Sequence, residues 1–401
     1  MKGTHLRIAL LWFLVLFALG CGGSTTVAPT PITPVSPNPP SANAEFAYAL
    51  TGYAVSMYTV DSSTGAFTAT TPATVETGYA PPQQAAEQMV ADPLGRFAYV
   101  ANLVSNASDQ ATISMYTINP STGVLTPTTP ATVPTGFLPQ GIAIDPRGRF
   151  VYTVNSDDSS VSMFTINRTT GVLTATTPAS VSTLVPGEPL SDPGFLTVDP
   201  TGRFLYVTAL LSEGAAVFMY TINQTNGLLT PTSPATVYTG GIPFQVRVAP
   251  SGEFAYVVNN LSGGEMTDGV WQYTVNSTTG VLTANTPNAV AAGNGPTAVA
   301  VDPTSKYAYV VNRLDNTVSM FRVDQTTGHL LPNGTIATGV DPFRIDFDPT
   351  GRFVYVTNEQ SAASVYRVNS DGTLTAVGTT GPTTGALSIA ITAVQRGSAS
   401  E

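Results

Sequence analysis

Charged side chains are scarce in this chain. Only 10% of its 401 residues are charged, against about 25% in an average soluble domain. The formal net charge is −10, and Lys306 is the only lysine after Lys2. A chain this acidic lacks the positive surface that binding to a nucleic-acid backbone requires, so we expect no nucleic-acid partner. The polar surface must instead come from Thr, Ser, Asn and Gln.

Cysteine and histidine are also scarce. Cys21 is the only cysteine, which excludes an internal disulfide, and His5 and His329 are the only histidines. The sequence has no phosphate-binding glycine loop, no nucleophile elbow and no zinc-ligand spacing. The adjacent Asp157 and Asp158 are typical of a solvated turn. We therefore predict no cofactor and no metal site.

The N-terminal segment has the pattern of an export signal. Lys2 and Arg7 precede an apolar run, residues 8–19, and supply the positive charge of an export signal. The run is too short for a good membrane span. Ala18-Leu19-Gly20-Cys21 resembles a bacterial lipobox, although its Ala and Leu are exchanged relative to the usual order. We predict a signal peptide over 1–20 and lipidation of Cys21. The alternative is an ordinary signal peptide with an incidental cysteine.

Residues 21–43 are predicted to be a lipidated cysteine followed by a tether. The segment is rich in Pro, Ser and Thr and has no core pattern, which favours an extended, semi-rigid spacer. A lipid at one end of such a spacer would hold a folded domain away from a membrane. We therefore predict an extracytoplasmic, membrane-anchored lipoprotein, in the periplasm or at the cell surface.

From residue 44 onward the chain consists of a repeated unit of four short strands. Asp145-Pro146-Arg147-Gly148 has the residues of a type I turn, with apolar segments on both sides. The first strand, 141–145, precedes this turn, the second spans 149–155 and the third 161–166. Residues 172–174 form a short fourth strand, and the Thr/Pro-rich residues 176–183 are interpreted as the connection to the next unit.

The second strand carries an aromatic-x-Tyr pair in each of seven copies. The pairs are Phe46/Tyr48, Phe97/Tyr99, Phe150/Tyr152, Phe204/Tyr206, Phe254/Tyr256, Tyr307/Tyr309 and Phe353/Tyr355. The first unit lacks a leading strand, and residues 387–392 form a leading strand with no unit after it. These features predict an all-β, seven-bladed β-propeller over 44–394, with a tail over 395–401. The C-terminal strand is predicted to complete the first blade and so remove the open sheet edge.

These motifs resemble those of a known family. The run from Asp348 to Val356 and the segment from Val161 to Leu173 look like the repeats of lactonase-type seven-bladed propellers, a family that includes 6-phosphogluconolactonase and the carboxymuconate-lactonising enzymes. Tyr355-Val356-Thr357-Asn358 is also similar to the Tyr-Val-Thr-Asn propeller repeats. The resemblance implies lactone hydrolysis, often with a Pro-His pair in the loop that enters each innermost strand and with Arg and Glu nearby.

The corresponding loops of this chain contain no histidine. They read Pro139-Gln140, Pro243-Phe244, Pro296-Thr297 and Pro342-Phe343. Histidine is the commonest general base near neutral pH. We therefore expect a scaffold that binds a ligand or partner without catalysis. A lactone hydrolase of the 6-phosphogluconolactonase type and a structural envelope protein remain as alternatives.

The innermost strands provide the candidate site residues. At the position of Ala143, the other copies have Val90, Thr197, Arg247, Ala300, Asp346 and Ala390. Two residues earlier the copies have Gln88, Gly141, Phe195, Gln245, Ala298, Arg344 and Ser388. Small residues are expected where seven strands crowd together, and charged ones are costly unless they are paired or hydrated.

Two interpretations of these polar residues remain open. They form either a site for a carboxylate or phosphate, or a structural ion pair in a water-filled pore. The candidate ligand-binding residues are Arg247, Arg344, Asp346, Gln88, Gln245 and Gln140. Glu87 is the weak candidate for a catalytic base, with Glu188 behind it. The expected partners are a membrane, through the lipid, and an anionic small molecule or an envelope protein at the funnel.

Overall fold

The described part of the chain consists of β-strands joined by turns and loops. The computed structural model describes residues 44–77, 86–103, 111–184, 191–212, 214–260, 269–382 and 388–393, with the backbone alone at 86, 87 and 393. In this part of the chain, twenty-eight strands form seven four-stranded antiparallel sheets. The prediction of a seven-bladed propeller is confirmed. Within these ranges no helix is long and apolar enough to cross a membrane.

The strands of each blade run from the central channel outward. Blade 1 contains β28 (Ser388–Ala393), β1 (Glu45–Thr51), β2 (Ala54–Val60) and β3 (Phe67–Glu76). Blades 2 and 3 contain β4 (Ala86–Ala91), β5 (Phe97–Asn102), β6 (Thr112–Ile118), β7 (Leu125–Pro134), β8 (Pro139–Ile144), β9 (Phe150–Asn155), β10 (Ser160–Ile166) and β11 (Leu173–Ser182). Blades 4 and 5 contain β12 (Ser191–Val198), β13 (Phe204–Leu211), β14 (Gly214–Ile222), β15 (Leu229–Thr239), β16 (Ile242–Val248), β17 (Phe254–Asn260), β18 (Gly269–Val275) and β19 (Leu282–Ala291). Blades 6 and 7 contain β20 (Pro296–Val301), β21 (Tyr307–Asn312), β22 (Thr317–Val323), β23 (Leu330–Ala337), β24 (Pro342–Phe347), β25 (Phe353–Asn358), β26 (Ser361–Val368) and β27 (Leu374–Thr380).

The C-terminal strand closes the ring. β28 pairs with β1 in an antiparallel register from Glu45 opposite Ala393 to Leu50 opposite Ser388. The leading strand of blade 1 therefore comes from the other end of the chain, as the repeat pattern predicts. This arrangement leaves no blade without its innermost strand.

In blades 2 to 7, the turn between the first and second strand defines what we call the lower end of the propeller. In blade 3, Gly148 donates its backbone N–H to the carbonyl of Asp145 at 2.9 Å. The Asp145 carboxylate is fully buried and accepts the backbone N–H of Arg149 and that of Phe150. It also accepts Nε of Arg149 at 3.0 Å. The repeated aspartate is therefore a structural cap whose charge is satisfied locally.

The tyrosine at the second position of each aromatic-x-Tyr pair joins its blade to the next one. Tyr48 donates its hydroxyl to the carbonyl of Gly123 in blade 2 at 2.8 Å. Six equivalent bonds of 2.8–3.0 Å follow around the ring, and the last one runs from Tyr355 in blade 7 to Gly65 in blade 1. Burial raises the pKa of these tyrosines, so they remain neutral donors. The same seven positions supply both core packing and the bonds between blades.

The fourth strand is longer than the sequence pattern predicts. The interpretation of residues 176–183 as a connection is wrong, because β11 continues to Ser182. Its register against β10 shifts between Ser162, opposite Ser180, and Phe164, opposite Ala175. The Thr-Thr-Pro-Ala segment thus forms a bulge within an edge strand. Proline is tolerated there because an outward-facing N–H has no partner to lose.

Candidate functional site

The innermost strands present one residue each to the channel at the level of the buried tyrosines. In the strand register, each of these residues lies opposite the tyrosine of the aromatic-x-Tyr pair in its own blade. The residues are Val90, Ala143, Thr197, Arg247, Ala300, Asp346 and Ala390. The repeat alignment therefore places them correctly. The two charged members lie in blades 5 and 7, and the small Ala300 of blade 6 stands between them.

A cavity of about 250 Å³ occupies the upper part of the channel. Its polar lining includes Gln88, Gln245, Arg247, Arg344 and Asp346. Five of the six residues predicted to bind a ligand therefore line one space, although they come from blades 2, 5 and 7. This convergence is the property expected of a ligand site.

Arg247 and Asp346 form a loose ion pair across the channel. Nη2 of Arg247 lies 3.8 Å from Oδ1 of Asp346, which is beyond hydrogen-bonding distance. In the described part of the chain, the Arg247 guanidinium makes this ion pair but no hydrogen bond. The exposed fractions of the two side chains, 36% and 40%, show that both border open channel space.

The carboxyl group of Asp346 is less acidic than that of an ordinary aspartate. Protein surrounds the narrow channel on every side, and desolvation of the carboxylate raises the pKa of Asp346. The charge of Arg247 and the N–H of Phe347 oppose this effect without cancelling it. The carboxylate therefore holds a proton to higher pH than an ordinary aspartate does.

Arg344 crosses the channel above this pair. The residue is 7% exposed. Its guanidinium carbon lies 4.1 Å from the ring centroid of Phe195 and 4.7 Å from that of Phe343. Phe195 belongs to blade 4 and Arg344 to blade 7, so the contact joins opposite sides of the ring. These two cation–π contacts hold the guanidinium in place.

Further groups extend this stack at the upper end. The ring of Phe244 lies 6.5 Å from that of Phe195, and the guanidinium carbon of Arg313 lies 5.4 Å from the ring of Phe343. Arg313 also pairs with Asp341 at 2.5 Å and with Glu359 at 2.9 Å. Sequence reasoning missed this cluster. Its only signal in the sequence is the aromatic residue that follows proline in Pro243-Phe244 and Pro342-Phe343.

Gln88 and Gln245 connect neighbouring blades as well as lining the cavity. The amide oxygen of Gln88 accepts the backbone N–H of Ile142 at 3.1 Å, and that of Gln245 accepts the N–H of Val299 at 2.7 Å. These bonds use only the oxygens. A glutamine amide also has two N–H donors, which do not take part in these contacts.

The remaining candidates lie elsewhere. Gln140 is at a register shift in β8, between Pro139 and Gly141, and does not line the cavity. Glu87 lies in β4, but its side chain is outside the described part of the structure, as are Glu188 and Cys21. His329 follows the turn between β22 and β23, away from the channel. Within the described ranges, no group of three or more metal-ligating side chains occurs.

A second cavity, of about 390 Å³, occupies the lower part of the channel. Its lining shares five residues with the upper cavity: Ile144, Thr197, Val198, Arg247 and Asp346. The rest of its lining is mostly apolar, with prolines from the lower turns of five blades: Pro93, Pro146, Pro200, Pro250 and Pro303. The ion pair therefore separates a polar cavity above from an apolar cavity below.

Comparison with known proteins shows the family to which this chain belongs. The model of the seven-bladed β-propeller lactonases matches residues 41–189 and 190–390. No curated protein matches the chain in sequence.

Solved structures with the same architecture span nearly the whole propeller. A protein of Bacteroides fragilis, provisionally assigned as a 6-phosphogluconolactonase, is 19% identical with a TM-score of 0.70, covering 89% of this chain and 99% of its own. A protein of Lactobacillus plantarum is 20% identical with a TM-score of 0.68, covering 87% and 99%. The periplasmic gluconolactonase PpgL of Pseudomonas aeruginosa is 19% identical with a TM-score of 0.64, covering 88% and 99%. At these identities the likeness shows the fold.

Proposed function

Because this chain belongs to the lactonase family of seven-bladed β-propellers, we propose that it binds a small, hydroxylated anion in the upper cavity and does not hydrolyse it. The ligand class is a sugar acid or the lactone of a phosphorylated sugar acid. The observation that carries this proposal is the guanidinium of Arg247, which faces the cavity and makes no hydrogen bond to any described residue. Guanidinium groups bind carboxylates and phosphates in a two-point geometry.

The rest of the upper cavity suits such a ligand. The amides of Gln88 and Gln245 and the hydroxyls of Thr197 and Ser388 lie in the same lining. These groups could bind several ligand hydroxyls. The volume of about 250 Å³ is below the ~300–1,000 Å³ of typical small-molecule sites. A single sugar acid therefore fits the space better than an oligosaccharide.

The chemistry of the lining supports binding without catalysis. Among the described side chains of the upper cavity there is no imidazole, and Asp346 is the only carboxylate. A general base must reach the proton that it removes. The carboxylate of Asp346 lies beside the guanidinium of Arg247, which competes with that proton for the carboxylate.

The location proposed for the protein is extracytoplasmic and anchored through Cys21. The export-like segment and the Pro-rich tether support it. A Cys21→Ser variant that partitions into detergent like the wild type would contradict the anchor.

Calorimetry with the purified chain tests the binding proposal. We expect saturable binding of gluconate or 6-phosphogluconate, at least tenfold weaker in Arg247→Ala, because the ligand loses its charged partner. Arg344→Ala and Glu87→Gln should be measured beside it. Arg322→Ala is a suitable control, since Arg322 is exposed on the third strand of blade 6. No binding by the wild type, or equal binding by Arg247→Ala, would overturn the proposal.

The second candidate function is lactone hydrolysis with Asp346 as the general base. The raised pKa of Asp346 favours it, because a carboxylate is a better base when its pKa lies closer to neutral. Glucono-δ-lactone hydrolysis can be followed as proton release above the spontaneous rate. Enzymatic release that Asp346→Asn abolishes would establish this function and would replace the non-catalytic proposal.

A further inference from the structure

The lower cavity is lined by a ring of prolines that the upper cavity does not have. Its walls come from six blades and consist mainly of the five turn prolines with Val248, Val301 and Phe347. Val248 and Val301 are buried in the wall, and the ring of Phe347 packs against Tyr309 with centroids 5.6 Å apart. The walls are therefore apolar and are held by the core of the propeller. Its volume of about 390 Å³ is within the range of small-molecule sites.

One cation lies at the inner end of this apolar space. Arg247 lines both cavities, and its guanidinium has five N–H donors, of which the described residues accept none in a hydrogen bond. Its partner Asp346 stays 3.8 Å away. A ligand oxygen that approaches from below can therefore reach donors that no protein group occupies.

The other acidic side chain of this cavity does not compete for the cation. Asp199 accepts the backbone N–H groups of Thr201, Arg203 and Phe204 at 2.7–3.0 Å, as the cap of its own turn. Of the carboxylates in the lining, only Asp346 faces Arg247. The lower cavity thus combines an apolar wall with a single available cation at its inner end.

We propose that the lower cavity is a second binding site, for a small monocarboxylate with an apolar body. The carboxylate binds the guanidinium of Arg247, and the apolar body packs against the ring of prolines. Burial of the body against these walls supplies the hydrophobic part of the binding free energy. The charge-assisted hydrogen bonds to Arg247 select the anion. Both proposed sites use the guanidinium of Arg247, so we expect the two ligands to compete for it, whereas the ring of prolines belongs to the lower cavity alone.

Fluorine NMR of the purified full-length chain with 4-fluorobenzoate tests this site. We expect concentration-dependent broadening of the ¹⁹F line, and at least tenfold weaker binding of the neutral isostere 4-fluorobenzamide. Arg247→Gln should weaken 4-fluorobenzoate binding at least tenfold. Equal binding of the amide, or unchanged binding by Arg247→Gln, would overturn the proposal.

A matched pair of variants at Pro250 locates the site. Pro250 lines the lower cavity only, is exposed, and stands at the second position of its turn, where most residues are tolerated. Pro250→Glu places a carboxylate at the mouth of the cavity and should weaken 4-fluorobenzoate binding at least fivefold by repulsion. Pro250→Gln removes the proline in the same way without adding a charge, so it should bind 4-fluorobenzoate at least fivefold more tightly than Pro250→Glu does. Equal affinities for the two variants would place the ligand elsewhere and overturn the proposal.

Gluconate binding separates this proposal from that for the upper cavity. Gluconate should bind Pro250→Glu within twofold of the wild type. If the wild type binds gluconate but not 4-fluorobenzoate, the lower site alone is refuted. If it binds 4-fluorobenzoate with the expected dependence on Arg247 but not gluconate, the upper site alone is refuted.

Discussion

The lower turns and the bonds between blades repeat closely around the ring, whereas the residues of the channel wall do not repeat in this way. All seven blades donate a tyrosine hydroxyl to a glycine carbonyl of the next blade. At the channel position opposite those same tyrosines, Arg247 and Asp346 stand among alanines, a valine and a threonine. The recurring groups hold the ring, and the exceptions form the only described ion pair that crosses the channel. Substitutions in the two regions should therefore affect different measurements.

The largest expected effect comes from opening the ring. Deletion of residues 385–401 removes β28, and with it the whole innermost strand of blade 1. The strand edge of β1 and the core beneath it would then face water, so we expect no cooperative thermal transition. Deletion of residues 394–401 is the control, because it keeps β28, and it should melt near the full-length temperature. A full-length-like melt for the longer deletion would disprove the closure argument.

The turn glycines separate steric conflict from backbone strain. Gly123 has φ of +72°, and a Cβ there would lie 2.3 Å from the Phe46 ring of the neighbouring blade. Gly52 has a similar φ of +59° with open space around it. Both alanine variants add backbone strain, but Gly123→Ala should lower the free energy of unfolding by about 1–3 kcal/mol more, because it also overpacks the core. Urea denaturation measures both, and equal losses would show that the aromatic contact has no energetic weight.

Loss of the hydrogen bond that joins the last blade to the first should lower the stability by less than opening the ring does. Tyr355 donates to the carbonyl of Gly65 in a buried environment, while Tyr307 donates to the carbonyl of Ser370 in an exposed one. Tyr355→Phe should lower the free energy of unfolding by about 1–3 kcal/mol, because a buried carbonyl loses its donor. Tyr307→Phe should change it by less than about 0.5 kcal/mol, since water can replace the hydroxyl. Chemical denaturation of the two variants tests whether burial makes the difference.

The smallest effect concerns pH and the channel wall. Desolvation raises the folded-state pKa of Asp346, so the folded protein binds this proton more tightly than the unfolded chain does. The resulting stabilisation is complete below the ordinary aspartate pKa and is lost as pH rises through the raised one. Asp346→Asn removes this dependence. Relative to the wild type, the variant should therefore gain stability between acidic and neutral pH, as measured by the difference in melting temperature. A constant difference across that range would contradict the raised pKa.

Much of the fold could be predicted from the sequence because its repeats are local. The turn of Asp145 to Gly148 and the aromatic-x-Tyr pairs each depend on residues a few positions apart. The extent of the fourth strand could not be predicted in the same way. A segment such as residues 176–179 looks like a connection, and only its position at an edge strand allows the chain to bulge there and resume pairing at Ser180.

The candidate site was only partly visible in the sequence. Alignment of the repeats identified Arg247, Arg344 and Asp346, since charged residues stood out among small ones. It could not show that Arg344 reaches Phe195 three blades away, or that Gln88 and Gln245 already use their oxygens to join neighbouring blades. These relations depend on distances across the channel rather than along the chain.

The sequence by itself determined the number of blades, the strands that begin each blade and the closure by the C-terminal strand, because hydrophobic alternation and turn chemistry act over a few residues. The tertiary structure alone decided that one loose ion pair would divide the channel into a polar cavity and an apolar one. The reason is geometric. Residues 99 positions apart, Arg247 and Asp346, meet only because seven twisted sheets converge on one axis.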